Sequence, residues 1–84
     1  MVGRSTSILP KGISRYRVFS PGATKFSFDR AYELKSDAEN SADRLRTGRK
    51  RYRARVVPIK ARVHGVLYRY AVYRRRGRDR SSGR

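Results

Sequence analysis

Ser36-Asp37-Ala38-Glu39-Asn40-Ser41-Ala42-Asp43-Arg44-Leu45-Arg46-Thr47-Gly48 is the stretch on which the fold turns. It opens as a capping box, with Ser36 at the N-cap and Glu39 three residues on to reach back. Ala38, Ala42 and Leu45 recur at helical spacing and form one narrow apolar stripe. Asp37 and Glu39 fall in the first turn, Arg44 and Arg46 in the last, which suits the helix dipole. Gly48 then supplies a stop. The pattern predicts a helix over 37–47, with a stripe too narrow for anything but packing on one face of another layer.

Strands flank that helix on both sides. Arg15-Tyr16-Arg17-Val18-Phe19 alternates, Ser20-Pro21-Gly22-Ala23 has proline and glycine at the central positions of a type II turn, and Thr24-Lys25-Phe26-Ser27-Phe28 alternates again. Residues 29–35 read either as a continuation of this second strand through Tyr32 and Leu34, or as an early start of the helix. Downstream, 50–59 and 66–75 alternate as two longer strands, with 60–65 as the connection. Pro58 cannot donate to a ladder, so the third strand should bulge there or lie at an edge. The order is ββαββ, an antiparallel sheet with one helix on a face and an α+β class. Residues 1–13 show no period and read as an irregular arm. Residues 14–75 form the domain, and 76–84, without an apolar side chain, read as a disordered basic tail.

Charge points to function. Twenty-three Lys plus Arg oppose six Asp plus Glu, a formal net charge of +17, and arginine outnumbers lysine eighteen to five. Five of the six acids lie between Asp29 and Asp43; beyond Asp43 only Asp79 stands against sixteen cations. Self-repulsion on this scale calls for a polyanionic partner, and the guanidinium fork suits phosphate and base stacking.

Alternation sorts the strand residues into two faces. Tyr16, Val18, Tyr52, Ala54, Val56, Val66, Tyr68, Tyr70 and Val72 form the apolar set expected under the helix. Arg15, Arg17, Phe19, Arg51, Arg53, Arg55, Arg69, Tyr73 and Arg75 form the other, a mixture of guanidinium groups and rings suited to nucleic acid. Phe19 and Tyr73 are its stacking candidates, while Tyr52, Tyr68 and Tyr70 read as packing residues. Val57, Ile59, Leu67 and Ala71 share the second face and imply either an apolar patch or a bulge that shifts register. The run Arg74, Arg75, Arg76, Arg78 and Arg80 extends the phosphate footprint.

Other chemistry finds few candidates. There is no cysteine and a single histidine, His64, beside a turn glycine. No metal-ligand spacing, cofactor motif or phosphate-cradling loop is present, so the expectation is no catalytic residue, no metal and no cofactor. No segment reaches the roughly 18 apolar residues of a membrane span, and the N-terminus does not read as a signal peptide, consistent with an intracellular setting in the cytoplasm or at the nucleoid. The expected activity is backbone binding of structured RNA, as in a ribosome or another ribonucleoprotein, with architectural or viral duplex DNA binding the runner-up. A third reading, an adaptor for an acidic protein or an anionic membrane, lacks the basic amphipathic helix that a membrane surface favours.

Overall fold

The computed structural model describes residues 3–18, 25–48 and 52–76. Its elements run β1 (Ser5–Thr6), β2 (Tyr16–Arg17), β3 (Phe26–Tyr32), α1 (Lys35–Thr47), β4 (Tyr52–Val63) and β5 (Val66–Arg76). All pairings are antiparallel, in the order β1-β3-β5-β4, with β2 joining β1 along the free edge of β3. The class is α+β. The ββαββ order holds, with β1 as an added strand where an irregular arm was expected. The ambiguous segment 29–35 resolves in favour of the strand through Tyr32. The Ser20–Ala23 turn lies outside the described residues, as does the tail from Gly77 onward.

α1 packs on one face through Ala38 and Ala42, both buried, which let its axis approach Ala54 and Val72 closely. Leu45, Tyr32, Val56 and Tyr70 close the rim of this cluster. Arg46 Nη2 donates to the Ala54 carbonyl at 2.8 Å and ties the end of the helix to β4. Gly48 is extended (φ −74°, ψ 172°), not left-handed; a Cβ there would stand 3.0 Å from the Arg44 carbonyl oxygen.

The helix start departs from expectation. Leu34 holds the N-cap geometry and no side chain caps it, so Ser36 lies inside the helix and the capping box does not form. The acids here bind the N-terminal chain instead. Asp37 Oδ2 accepts from the Gly3 amide at 3.1 Å, Glu33 Oε1 accepts from the Arg4 amide at 2.7 Å, and the Glu33 amide donates to the Arg4 carbonyl at 3.0 Å. These bonds continue the short β1–β3 ladder.

The connection expected over 60–65 is only two residues long. His64 (φ 50°) and Gly65 (φ 81°) are both left-handed, as a tight hairpin turn requires, so β4 and β5 extend to Val63 and Val66. β4 is an edge strand and also bulges: Pro58 pairs with Tyr70 but Ala61 with Tyr68, so β4 carries one extra residue. A second bulge lies in β3, where Phe28 pairs with Tyr73 and Arg30 with Val72, leaving Asp29 extra. β5 itself runs through Arg76, the first residue of the expected tail.

Because Ser36 caps nothing, Ser36→Ala should change stability by less than about 0.5 kcal/mol. Asp37→Ala, which removes the acceptor of the Gly3 amide and an anion from the first helical turn, should cost about 1–2 kcal/mol. Urea unfolding midpoints of the two variants decide between the two roles.

Candidate nucleic-acid interface

The site is built on the sheet face away from α1. β4 alternates as the sequence implied: Ala54 and Val56 pack toward the helix, while Arg53 and Arg55 take the other parity and are exposed, the Arg55 side chain at the sheet edge also lining a cleft with Glu39, Asp43 and Arg46 of α1. Arg53 stands directly opposite Arg75, and Arg55 opposite Tyr73. Across β5, Tyr73 faces Phe28, and at the sheet margin Arg17 faces Phe26. The Arg15 carbonyl accepts from the Phe28 amide at 2.7 Å, which extends the β2 pairing by one residue and puts Arg15 on the same side as Arg17. Arg15, Arg17, Arg53 and Arg75 therefore gather at one end of one face, with Arg55 at its edge.

The acids sit elsewhere. Glu33, Asp37, Glu39 and Asp43 belong to α1 and the turn before it, and Asp43 pairs with Arg46 at 3.4 Å on the helix surface. Asp29, in the β3 bulge, holds Arg74 Nε at 3.4 Å, and Arg74 also lies 5.0 Å from the Tyr52 ring centroid. Arg74 is thus on the helix side of the sheet, apart from Arg75, with part of its charge already answered. Neither Arg53 nor Arg75 has an acidic partner among the described residues.

Part of this face is not open. Residues 10–14 cross it: Pro10 is buried, and Ile13 packs on the cluster of Phe26, Val57, Ala71 and Tyr73, with Phe28 and Ile59 at its edge. The apolar residues that alternation left on the basic face are the floor of this second small core. Tyr73 is its centre, 0% exposed, with its hydroxyl donating to the Ser14 carbonyl and its ring meeting Phe28 edge-on at 6.0 Å. The Arg17 guanidinium lies 5.9 Å from the Tyr73 ring centroid. Tyr73 is a core residue, and a base cannot stack on it. Nothing in a periodicity argument announces this roof, because residues 1–13 have no period.

Tyr16 shows the opposite correction. Its alternation matched the helix-facing set, yet β2 lies at the far margin of the sheet, while α1 packs on β3, β4 and β5. Tyr16 is 56% exposed, with Lys25 Nζ 5.8 Å from its ring centroid. Sequence parity had placed this ring in the core; exposed beside a cation, it has the chemistry of a stacking surface. Arg69 is exposed on β5, six residues from Arg75 and away from the main cluster. Phe19, Arg51, Arg78 and Arg80 lie outside the described residues, as does the Arg76 side chain.

Among the described residues, no group of three or more His, Asp or Glu side chains converges, and no helix is long and apolar enough to cross a membrane. Comparisons with protein-family models, curated proteins and solved structures find no match to this chain.

Burial raises the Tyr73 phenol pKa above its ordinary 10.0, and the nearby Arg17 charge opposes the shift. Below pH 10 both folded and unfolded phenols are neutral; as pH rises further, the unfolded chain ionises first and stability falls. Tyr73→Phe should therefore cost about 0.5–1.5 kcal/mol at neutral pH through the lost hydroxyl bond to Ser14. The gap between the two proteins should narrow above pH 10. Thermal or urea unfolding at pH 7 and pH 11 measures both effects.

Proposed function

We propose that this protein is a non-enzymatic binder of nucleic acid that grips the phosphate backbone with the arginine cluster of its second sheet face. One observation carries the reading: Arg53 and Arg75 face each other directly across β4 and β5, and neither has an acidic partner among the described residues. Like charges in directly opposed positions destabilise a sheet. A bound polyanion removes that penalty, and guanidinium groups at cross-strand spacing can each take a phosphate oxygen.

Structured RNA is the preferred ligand, as part of a ribosome or another ribonucleoprotein. The exposed Tyr16 ring beside Lys25 favours it, since RNA loops and bulges present unstacked bases to such platforms. Duplex DNA is the second reading, favoured by the two-stranded β4–β5 ribbon, an element that B-DNA's major groove admits.

Affinity for labelled RNA should fall steeply with salt, by about 10³–10⁵-fold between 50 and 200 mM if six to ten phosphates are engaged. Arg53→Ala combined with Arg75→Ala should lower the slope of log affinity against log salt by about one per lost contact and leave the thermal melt unchanged or higher. Affinity indifferent to salt, or unchanged in the double variant, overturns the proposal.

A further inference from the structure

The β4 bulge changes what the far end of the hairpin presents. Up to Pro58 the odd-numbered residues of β4 face the basic side: Arg53, Arg55 and Val57, the last packed under Ile13. Strict alternation would put Arg62 on the helix side, with Ala54 and Val56. The extra residue between Pro58 and Ala61 reverses this. Ala61 pairs with Tyr68, which shares a face with Tyr70 and Val72, and Arg62 pairs with Leu67, which shares a face with Arg69, Ala71, Tyr73 and Arg75. Arg62 is therefore delivered to the same face as the arginine cluster.

At this end the sheet has narrowed to a ribbon. The last β3 residue, Tyr32, pairs with Tyr70, so β5 from Val66 to Arg69 is paired only with β4. The His64–Gly65 turn closes the ribbon tightly. Lys60, Arg62 and Arg69 are all exposed, and none has an ion pair among the described residues. Lys60 and Arg69 line one open groove with Pro58, Ile59 and Tyr70. No Asp or Glu occurs between Asp43 and Asp79 to offset them.

The geometry points to a second phosphate-binding patch, formed by Lys60, Arg62 and Arg69, that grips the same nucleic acid as the first patch. This rests on the proposed backbone binding and adds its footprint. Along β5, Arg69 lies six residues from Arg75, and Leu67, opposite Arg62, lies eight, which is about 20 and 27 Å at 3.4 Å per residue. Between the patches lies the 10–14 segment, which covers an apolar floor through Ile13 and carries the exposed Lys11. Two cationic patches on one face, so separated, fit phosphates about six to eight base pairs apart along a B-form duplex axis, and somewhat more along the shorter-rise A-form axis of RNA. The ligand is thus a run of base-paired nucleic acid, whether an RNA stem or DNA.

The test compares the full chain with Lys60→Gln/Arg62→Gln/Arg69→Gln on stem-loops of about 5 and about 12 base pairs, in RNA and in DNA. Only the longer stem can reach both patches. The ratio of long-stem to short-stem affinity should be at least about tenfold smaller in the variant, with the salt slope on the long stem reduced by up to about three. Short-stem affinity should stay within about twofold. Using the ratio cancels the statistical advantage of the longer lattice. Coupling on both nucleic acids supports recognition of backbone spacing; coupling on one alone names the source. An equal ratio in both proteins overturns the second patch, as does a proportional loss on both stems. Absence of wild-type binding to either stem at low salt overturns the proposed function itself. Should the triple variant melt below wild type, Arg62→Gln alone carries the comparison.

Discussion

Val72 and Tyr73 are consecutive residues of β5, point to opposite faces of the sheet, and are both 0% exposed. A strand buried on two sides needs two covers, and the described residues hold one helix. α1 covers Val72 with Ala38 and Ala42; residues 10–14 cover Tyr73 with Ile13 and the Ser14 carbonyl. The second cover has no regular structure of its own, so its position depends on the short β1 and β2 pairings either side of it. That dependence explains why Glu33 and Asp37 bond to the Arg4 and Gly3 amides: they hold down the start of the segment that roofs Tyr73. Small domains bury a modest fraction of their surface, and a second core made from irregular chain raises that fraction without another helix.

Much of this was legible in the residues. Ala38, Ala42 and Leu45 form the helical stripe as their spacing implied, and the parity of Ala54 and Val56 against Arg53 and Arg55 is the parity of the sheet. Pro58 marks both an edge and a bulge. What stayed hidden was hidden for physical reasons. A one-residue bulge at Asp29 reverses parity in mid-strand, so Phe28 and Ala31 share a face although alternation separates them. Ser36 fits a cap, but the helix begins two residues earlier than that cap implies, with Leu34 at the N-cap in the bend that follows β3. Tyr16 and Tyr73 were exchanged between core and surface. For these two residues parity assigns the face correctly, yet it does not say whether that face is covered at a given point along the sheet.

The two bulges act in opposite senses on charge. The β3 bulge puts Asp29 beside Arg74 and so neutralises part of one arginine on the helix side. The β4 bulge instead carries Arg62 across to the face where arginines already collect. On the helix side the acids are mixed with Lys35, Arg44, Arg46 and Arg74, whereas the opposite face collects cations, so the basic side is shaped by register as well as by composition. The long β4 edge is also protected by this layout. Pro58, a bulge, and exposed Arg53, Arg55, Lys60 and Arg62 are all features that discourage another strand from pairing there.

Salt should then act on this molecule with two signs. In the free protein, Arg53 and Arg75 sit at cross-strand distance, about 5 Å between Cα atoms, well inside the Debye length of roughly 10 Å at 0.1 M salt. The folded state brings such groups closer than the unfolded chain does, so screening favours folding. In the complex the same screening and the counterions released on binding favour dissociation. A polyanion that binds only the folded form stabilises it by mass action, and most strongly at low salt, where the free protein is weakest. On the proposed function, folding and binding are coupled through the same few guanidinium groups: the repulsion that costs the isolated sheet stability is what a bound phosphate backbone would relieve.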